Sequence, residues 1–352
     1  MSTPAWLDSP LMKAARREPA PHTPIWLMRQ AGRYLPDYRK LREHTSFLDL
    51  CKNPDLCAET AITTAEWLGV DAAILFSDLL LILEPMGLRL EFSAGEGPNL
   101  ENAIRVAADV DRLVELESIE PLGFVVEAVR KTRAGLRPSL PLIGFAGAPF
   151  TLAAYAIEGG ASRDYRRTKT LMYTDTGVWD ALMGRLARAV TLYLKAQLDA
   201  GCQLVQLFDS WAGCLGPDDY RRYVLPHTRS VIESLPAGVP VIHFATGNAA
   251  LLPLLAEAFG KKKRPAVVGV DWRIRLEDAW RAVGPDRAIQ GNLDPVVLLS
   301  NPLEIRRRAK DVLRQAGDRP GHIFNLGHGV LPQTPPENAL ALIEAVHELS
   351  GR

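Results

Sequence analysis

"CQLVQLFDS" (202–210) is almost continuously apolar and then stops on an acid and a hydroxyl. A strand with one face in water alternates polar and apolar residues. A strand covered on both faces has no such need. Read in this way, the stretch is a strand of a parallel sheet with helices on both sides. Seven other stretches have the same form: "PIWLMR" (24–29), "DAAILFSD" (71–78), "LPLIGFAG" (140–147), "VPVIHFATG" (239–247), "AVVGVDWR" (266–273), "AIQGNLDP" (288–295) and "HIFNLGHG" (322–329). Longer segments with helical spacing lie between them. Examples are "DLCAETAITTAEWLG" (55–69), "VWDALMGRLARAVTLYLKAQLDAG" (178–201) and "PENALALIEAVHEL" (336–349). Strand followed by helix, eight times, predicts an α/β fold of the (β/α)8 TIM barrel type. The length of 352 residues suits one large domain or two average ones. An open doubly wound sheet is the alternative. The strand count and the absence of GxGxxG after the first strand weigh against it.

The ends of these stretches are polar or small: Arg29, Asp78, Gly147, Asp209 with Ser210, Thr246, Asp271, Asn292 and His328. In a barrel of this type the active site lies at the C-terminal ends of the strands. The row therefore points to an enzyme. The plainer reading is that strands end where polar loops begin. Charged residues that follow long apolar runs resist it, because they sit beside a dry interior.

Lys+Arg and Asp+Glu are equal, 41 each. A neutral chain gives no support for nucleic acid or an anionic membrane as partner. "MRQAGRYLPDYRKLR" (28–42) nevertheless collects four arginines and a lysine. Arginine's planar fork matches carboxylate or phosphate. A cluster at the mouth suits a polyanionic small molecule, and Arg33, Arg39, Lys40 and Arg42 are its candidates with Arg29. Local pairing with Asp37 and Glu43 is the competing use. The connection from Arg29 to about Asn53 is long, and Glu84 to about Glu101 reads as a hairpin. "KKKR" (261–264) reads as a solvated loop at the far end.

Asp78 shares its parity with Ala72, Ile74 and Phe76, so its carboxylate is expected to face an apolar interior. It needs a cationic or N–H partner there, and Arg29 is one structural possibility. The sharper role is to offer negative charge to a cation that forms on the substrate. His243 and His328 each sit in a strand, where histidine is as often structural as functional. His243 has Ala245 two positions on, so no HxC zinc element is present, and no metal site is expected. No lysine ends a strand, which argues against Schiff-base and pyridoxal chemistry. The chemistry is expected to need no cofactor. Cys51, Cys57, Cys202 and Cys214 form no CxxC pair, so a reducing compartment is expected. The N-terminus lacks the apolar run of a secretory signal, and no stretch reaches the roughly 20 apolar residues of a membrane span. A cytoplasmic protein is expected.

"PIWLMRQAGR" (24–33) followed by "GFAGAPFTLAAYAIEGG" (144–160) resembles the two signature stretches of the uroporphyrinogen decarboxylase family. "LFSDLL", "LFDSWAG", "HFATGN", "QGNLDP" and "FNLGHGVLP" resemble it too, so the likeness runs from about Pro24 to Val346. The resemblance implies a single-domain (β/α)8 barrel over 1–352, with an N-terminal extension of about 1–23, and a cytoplasmic homodimer that needs no cofactor. It also implies removal of carbon dioxide from the four acetate arms of uroporphyrinogen III, giving coproporphyrinogen III. By the same resemblance Arg29, Gln30, Ala31, Gly32, Arg33, Asp78, Tyr155, Ser210 and His328 bind substrate, with Asp78, Arg29 and Tyr155 as the catalytic set. The residues alone leave two other readings open. One is a thiol or corrinoid methyltransferase, which would need the missing zinc element. The other is a polyanion-binding barrel without catalysis.

Overall fold

The computed structural model describes residues 4–93, 97–260 and 264–351. Its strands are β1 (Ala73–Ile74), β2 (Leu90–Ser93), β3 (Gly97–Leu100), β4 (Leu142–Gly147), β5 (Leu204–Asp209), β6 (Val241–Ala245), β7 (Ala266–Gly269), β8 (Ala288–Gln290) and β9 (His322–Ile323). Seven of them form one sheet in the order β1-β4-β5-β6-β7-β8-β9. Every pair in it is parallel. Its central strands are buried along their length, as their apolar runs require. β2 and β3 form the expected antiparallel hairpin.

The eight-strand expectation is met for seven. Residues 24–27 form a single parallel bridge, Ile25 to Phe324, rather than a strand. The cause lies in their donors. Pro24 has no N–H. The N–H groups of Ile25, Leu27 and Met28 donate to side chains: Asp71 (2.8 Å), Gln30 (3.1 Å) and Asn325 (3.0 Å). A backbone ladder cannot extend where its donors are already taken. The carbonyls still reach both sheet edges. Phe324 N–H donates to Pro24 O and Asp71 N–H to Ile25 O, each at 2.8 Å. The sheet is therefore a curled, seven-stranded parallel sheet with this segment between its edges.

The helices start and stop where local chemistry directs. The helix Pro54–Leu68 opens under an Asn53 cap with proline at its first position and closes on Gly69 at φ 68°. Thr176–Ala200 opens under Asp175. The connection after Arg29 is not an open loop but two helices, Pro36–His44 and Phe47–Lys52. The N-terminal helix Pro10–Ala15, capped by Ser9, buries Leu11, Met12, Ala14 and Ala15. One cluster of buried apolar residues runs from Leu11 to Val346. Of the "KKKR" run, Lys261 to Lys263 lie outside the described residues. Among those described, no helix is long and apolar enough to cross a membrane.

Candidate active site

A cavity of about 480 Å³ opens at the C-terminal ends of the strands. Its floor is aromatic. Phe145, Phe208 and Phe244 come from β4, β5 and β6 and meet edge to face at 5.7 and 6.0 Å. Its polar groups are few, and each has a definite setting.

Asp78 lines the cavity just beyond β1. The chain has left strand geometry after Ile74, and Ser77 lines the cavity as well, so parity does not aim Asp78; the turn does. Its Oδ1 accepts the Leu80 N–H at 2.9 Å. Burial pushes its pKa up to about 6, against the opposing pull of that N–H and of Arg29. No ion pair to Arg29 forms among the described residues, so the structural pairing weighed from sequence is not made.

Arg29 occupies the left-handed region at φ 62°. The turn that holds it is closed by the Gln30 N–H on Leu27 O at 2.9 Å. Such a backbone costs a residue with a side chain about 1–2 kcal/mol. Strain of this kind collects where a side chain must point a particular way. The Arg29 side chain is exposed to the cavity and has no hydrogen bond among the described residues.

The cationic cluster divides. Arg33 is exposed, lines the mouth and makes no side-chain hydrogen bond or ion pair among the described residues. Arg39 donates to the carbonyls of Arg33 and Tyr34 at 3.2 and 3.0 Å. Lys40 pairs with Asp37 on the surface. Arg42 bonds the Thr45 carbonyl and lies over the Phe47 ring. Only Arg29 and Arg33 face the cavity. Ala31 and Gly32 line it between them. Gln30 does not: its buried side chain holds Leu27 N–H and Ala72 O, which makes it a brace for the first segment.

Tyr155, on the helix Pro149–Glu158, stacks on Trp211 with ring centres 3.7 Å apart. Burial and the Asp78 charge push its pKa up to about 12, so it stays a hydroxyl. Ser210 lines the cavity one residue beyond β5. His328 accepts the Gly329 N–H on Nδ1 at 2.8 Å. Burial, with Arg29 and Arg273 nearby, lowers its pKa to about 4. It is therefore neutral, and its proton sits on Nε2.

The other polar strand ends are structural. Asp209 accepts from Thr151 and Tyr220. Asp271 takes Thr246, Gly247 N–H and Arg273. Asn292 donates to the carbonyls of Asp271 and Ile274. His243 is sealed in the core, with Nδ1 3.3 Å from Leu255 O. These side chains are spent on bonds within the fold, whereas Arg29, Asp78, Ser210 and His328 line the cavity. Sequence reasoning passed over the phenylalanine floor and Trp211. The registers Phe208–Phe244 and Gly147–Phe208 carry the signal for the floor, but only once the pairing is known.

The chain can be compared with known proteins on this footing. The family model described as uroporphyrinogen decarboxylase matches residues 7–349. Uroporphyrinogen decarboxylase of Carboxydothermus hydrogenoformans is 50% identical over 98% of this chain and 97% of its own. That of Sorangium cellulosum is 52% identical over 96% and 95%. Among solved structures, a methyltransferase from Methanosarcina mazei superposes with a TM-score of 0.77, covering 97% of this chain and 98% of that one. At 19% identity that likeness speaks for the fold alone. The chain belongs to the uroporphyrinogen decarboxylase family.

Proposed function

We propose that this chain removes carbon dioxide from the four acetate side chains of uroporphyrinogen III, leaving methyl groups and giving coproporphyrinogen III, in tetrapyrrole biosynthesis. Asp78 carries the reading: a carboxyl group without an ion pair among the described residues, in a largely apolar cavity, with its pKa raised to about 6.

Breaking the bond to carbon dioxide leaves two electrons that need a sink. Protonation of a pyrrole α-carbon makes an iminium-like ring, and the bond pair flows into it as carbon dioxide departs. A proton then added to the exocyclic carbon makes the methyl group, and loss of the first proton restores the pyrrole. The ring can thus be its own electron sink, with no cofactor. Asp78 accepts the pyrrole N–H groups and stabilises the ring cation. A preorganised group in a dry site contributes on the order of 3–4 kcal/mol. The planar guanidinium fork of Arg29 matches a carboxylate, so its role is to hold one. Tyr155 orients a carboxylate or Asp78. Ser210 and the Nε2–H of His328 donate to acetate or propionate arms. Arg33 draws the eight-fold anionic substrate to the mouth of a neutral protein.

In this reading, residues 24–27 act as the eighth stave of a closed (β/α)8 barrel, since they bond to both sheet edges. The chain is a single domain and works as a cytoplasmic homodimer; likeness to the family supports both. The test is anaerobic incubation with uroporphyrinogen under reducing conditions, followed by chromatography of the products. Wild-type protein is expected to yield coproporphyrinogen through partly decarboxylated intermediates, and Asp78→Asn to yield almost none. Unchanged uroporphyrinogen from the folded wild type would end the proposal.

A further inference from the structure

At the opposite end of the sheet, Asp71 is held by two imidazoles at once. His22 Nε2 lies 2.9 Å from Oδ1 and His347 Nε2 lies 2.8 Å from Oδ2. The rings meet edge to face with centres 4.8 Å apart. Oδ2 also accepts the Ile25 N–H at 2.8 Å. None of these side chains lines the cavity. They come from three distant segments: the N-terminal stretch, the bend two residues before β1, and the last turns of the helix Pro336–Ser350.

We propose that His22, Asp71 and His347 form a binding site for a divalent transition metal of the zinc class, which ties both ends of the chain to the start of the sheet. Two imidazole nitrogens and one carboxylate oxygen are donors that suit zinc. A tetrahedral ion about 2.0–2.2 Å from each donor requires donors roughly 3.3–3.5 Å apart. The three ligand atoms already lie within 4.8 Å of one another. The two N···O contacts, one to each carboxylate oxygen, need to widen by about half an ångström, and the two nitrogens to draw together to the same spacing, for the carboxylate to share the ion with both rings.

Access and proton balance agree. The imidazoles are 25% and 32% exposed, so an ion can enter and water can complete its shell; the carboxylate is 9% exposed. In the metal-free arrangement each Nε2 carries the proton it donates to Asp71. To bind, a neutral ring moves that proton to Nδ1 and a charged ring releases it to solvent; neither Nδ1 has a partner among the described residues. The Ile25 N–H fixes the carboxylate from behind, the kind of outer contact that orients a ligand. Such a clasp joins residues 49 and 276 positions apart in the chain, where the loops it closes are long.

The test uses the full chain, stripped with a chelator and dialysed. Zinc chloride is titrated by calorimetry, and cobalt(II) by visible absorption. The expected result is one zinc per chain, with a dissociation constant of roughly micromolar or below. Cobalt(II) is expected to give the intense band of a four-coordinate site. His22→Gln and His347→Gln each keep an amide that can donate to Asp71, and melting curves verify their folding. Each is expected to weaken zinc binding about tenfold or more. The double variant is expected to lose the cobalt band and the zinc-induced rise in melting temperature. A folded wild type that takes up no zinc, or a double variant that binds it as well as wild type, overturns the proposal. Neither outcome bears on decarboxylation, which is assayed separately at the other end of the sheet.

Discussion

The stem of Arg29 lies against the bare α-carbon of Gly329. A methyl group there would stand 2.7 Å from Arg29 Cγ and 3.0 Å from Nε, closer than carbon tolerates. The N–H of the same glycine bonds His328 Nδ1. One residue thus seats an arginine and fixes the tautomer of a histidine, and both line the cavity. Gly329 is not in the positive-φ region, so its backbone accepts alanine; the conflict is with the Arg29 side chain. Gly329→Ala is expected to lower kcat/KM about 100-fold, since a misplacement of about 1 Å costs that much. The melting temperature should fall by only a few degrees. Turnover at the wild-type level would show that the seat is immaterial.

Arg29 itself trades stability for placement. Its φ of 62° suits glycine. Arg29→Gly and Arg29→Ala both remove the guanidinium, and both should abolish most activity. They differ in backbone cost, so the glycine variant is expected to be the more stable by about 1 kcal/mol. Denaturant melts of the two variants side by side measure that difference directly. Equal stability would mean that the turn relaxes and stores no strain.

The raised pKa of Asp78 predicts a stability profile of definite sign. Its carboxyl binds a proton more tightly in the folded chain, about 6 against an ordinary 3.8. Its contribution is therefore most favourable below about pH 4 and is lost as pH rises through 6. Asp78→Asn carries no charge and should escape that loss. It is expected to lie close to wild type near pH 4 and to exceed it by about 3 kcal/mol at pH 8, while losing decarboxylation. Melts between pH 4 and 8 measure the gap. A gap that does not widen with pH would mean that Asp78 is not desolvated.

What could be read from sequence, and what could not, follows from the range of the forces involved. β4, β5 and β6 were visible because burial on both faces leaves a continuous apolar run. The 24–27 segment read as a strand for the same reason, but its donors go to Asp71, Gln30 and Asn325. Asp71 is 46 residues from Ile25 and Asn325 is 297 from Met28, and no window shows such pairings. The polar strand ends were a mixture for a related cause. Asp209 and Asp271 look like Asp78 in sequence. Only their neighbours in space, Thr151 and Tyr220 for one and Thr246 and Arg273 for the other, mark them as structural. The left-handed turn at Arg29 left no trace, because the residue that normally marks such a turn is glycine.

Arg33 should act through long-range charge. It is exposed at the mouth and unpaired among the described residues, whereas Arg39 is bonded to local carbonyls and Lys40 to Asp37. Arg33→Ala is expected to raise KM about ten-fold at low salt with little change in kcat, and the effect should shrink as salt screens the site. Lys40→Ala should leave KM and its salt dependence nearly unchanged. A salt-independent effect of Arg33→Ala would assign it a contact role rather than a docking role.

His328 should bind as a neutral donor. Its Nδ1 is occupied by the Gly329 N–H, which leaves the proton on Nε2, and its pKa of about 4 keeps it neutral across the working range. Nitrogen NMR of the labelled protein is expected to show the Nε2–H tautomer without titration between pH 5 and 8. His328→Gln retains a donor amide and should keep a substantial part of kcat/KM. His328→Ala has no donor and should lose roughly ten- to a hundred-fold, the cost of an unmet charged hydrogen bond. Because a neutral imidazole does not titrate here, an acidic limb near pH 6 in kcat/KM belongs to Asp78 and should persist in His328→Gln. A limb that vanishes in that variant would transfer the ionisation to the histidine and take the acid's role from Asp78.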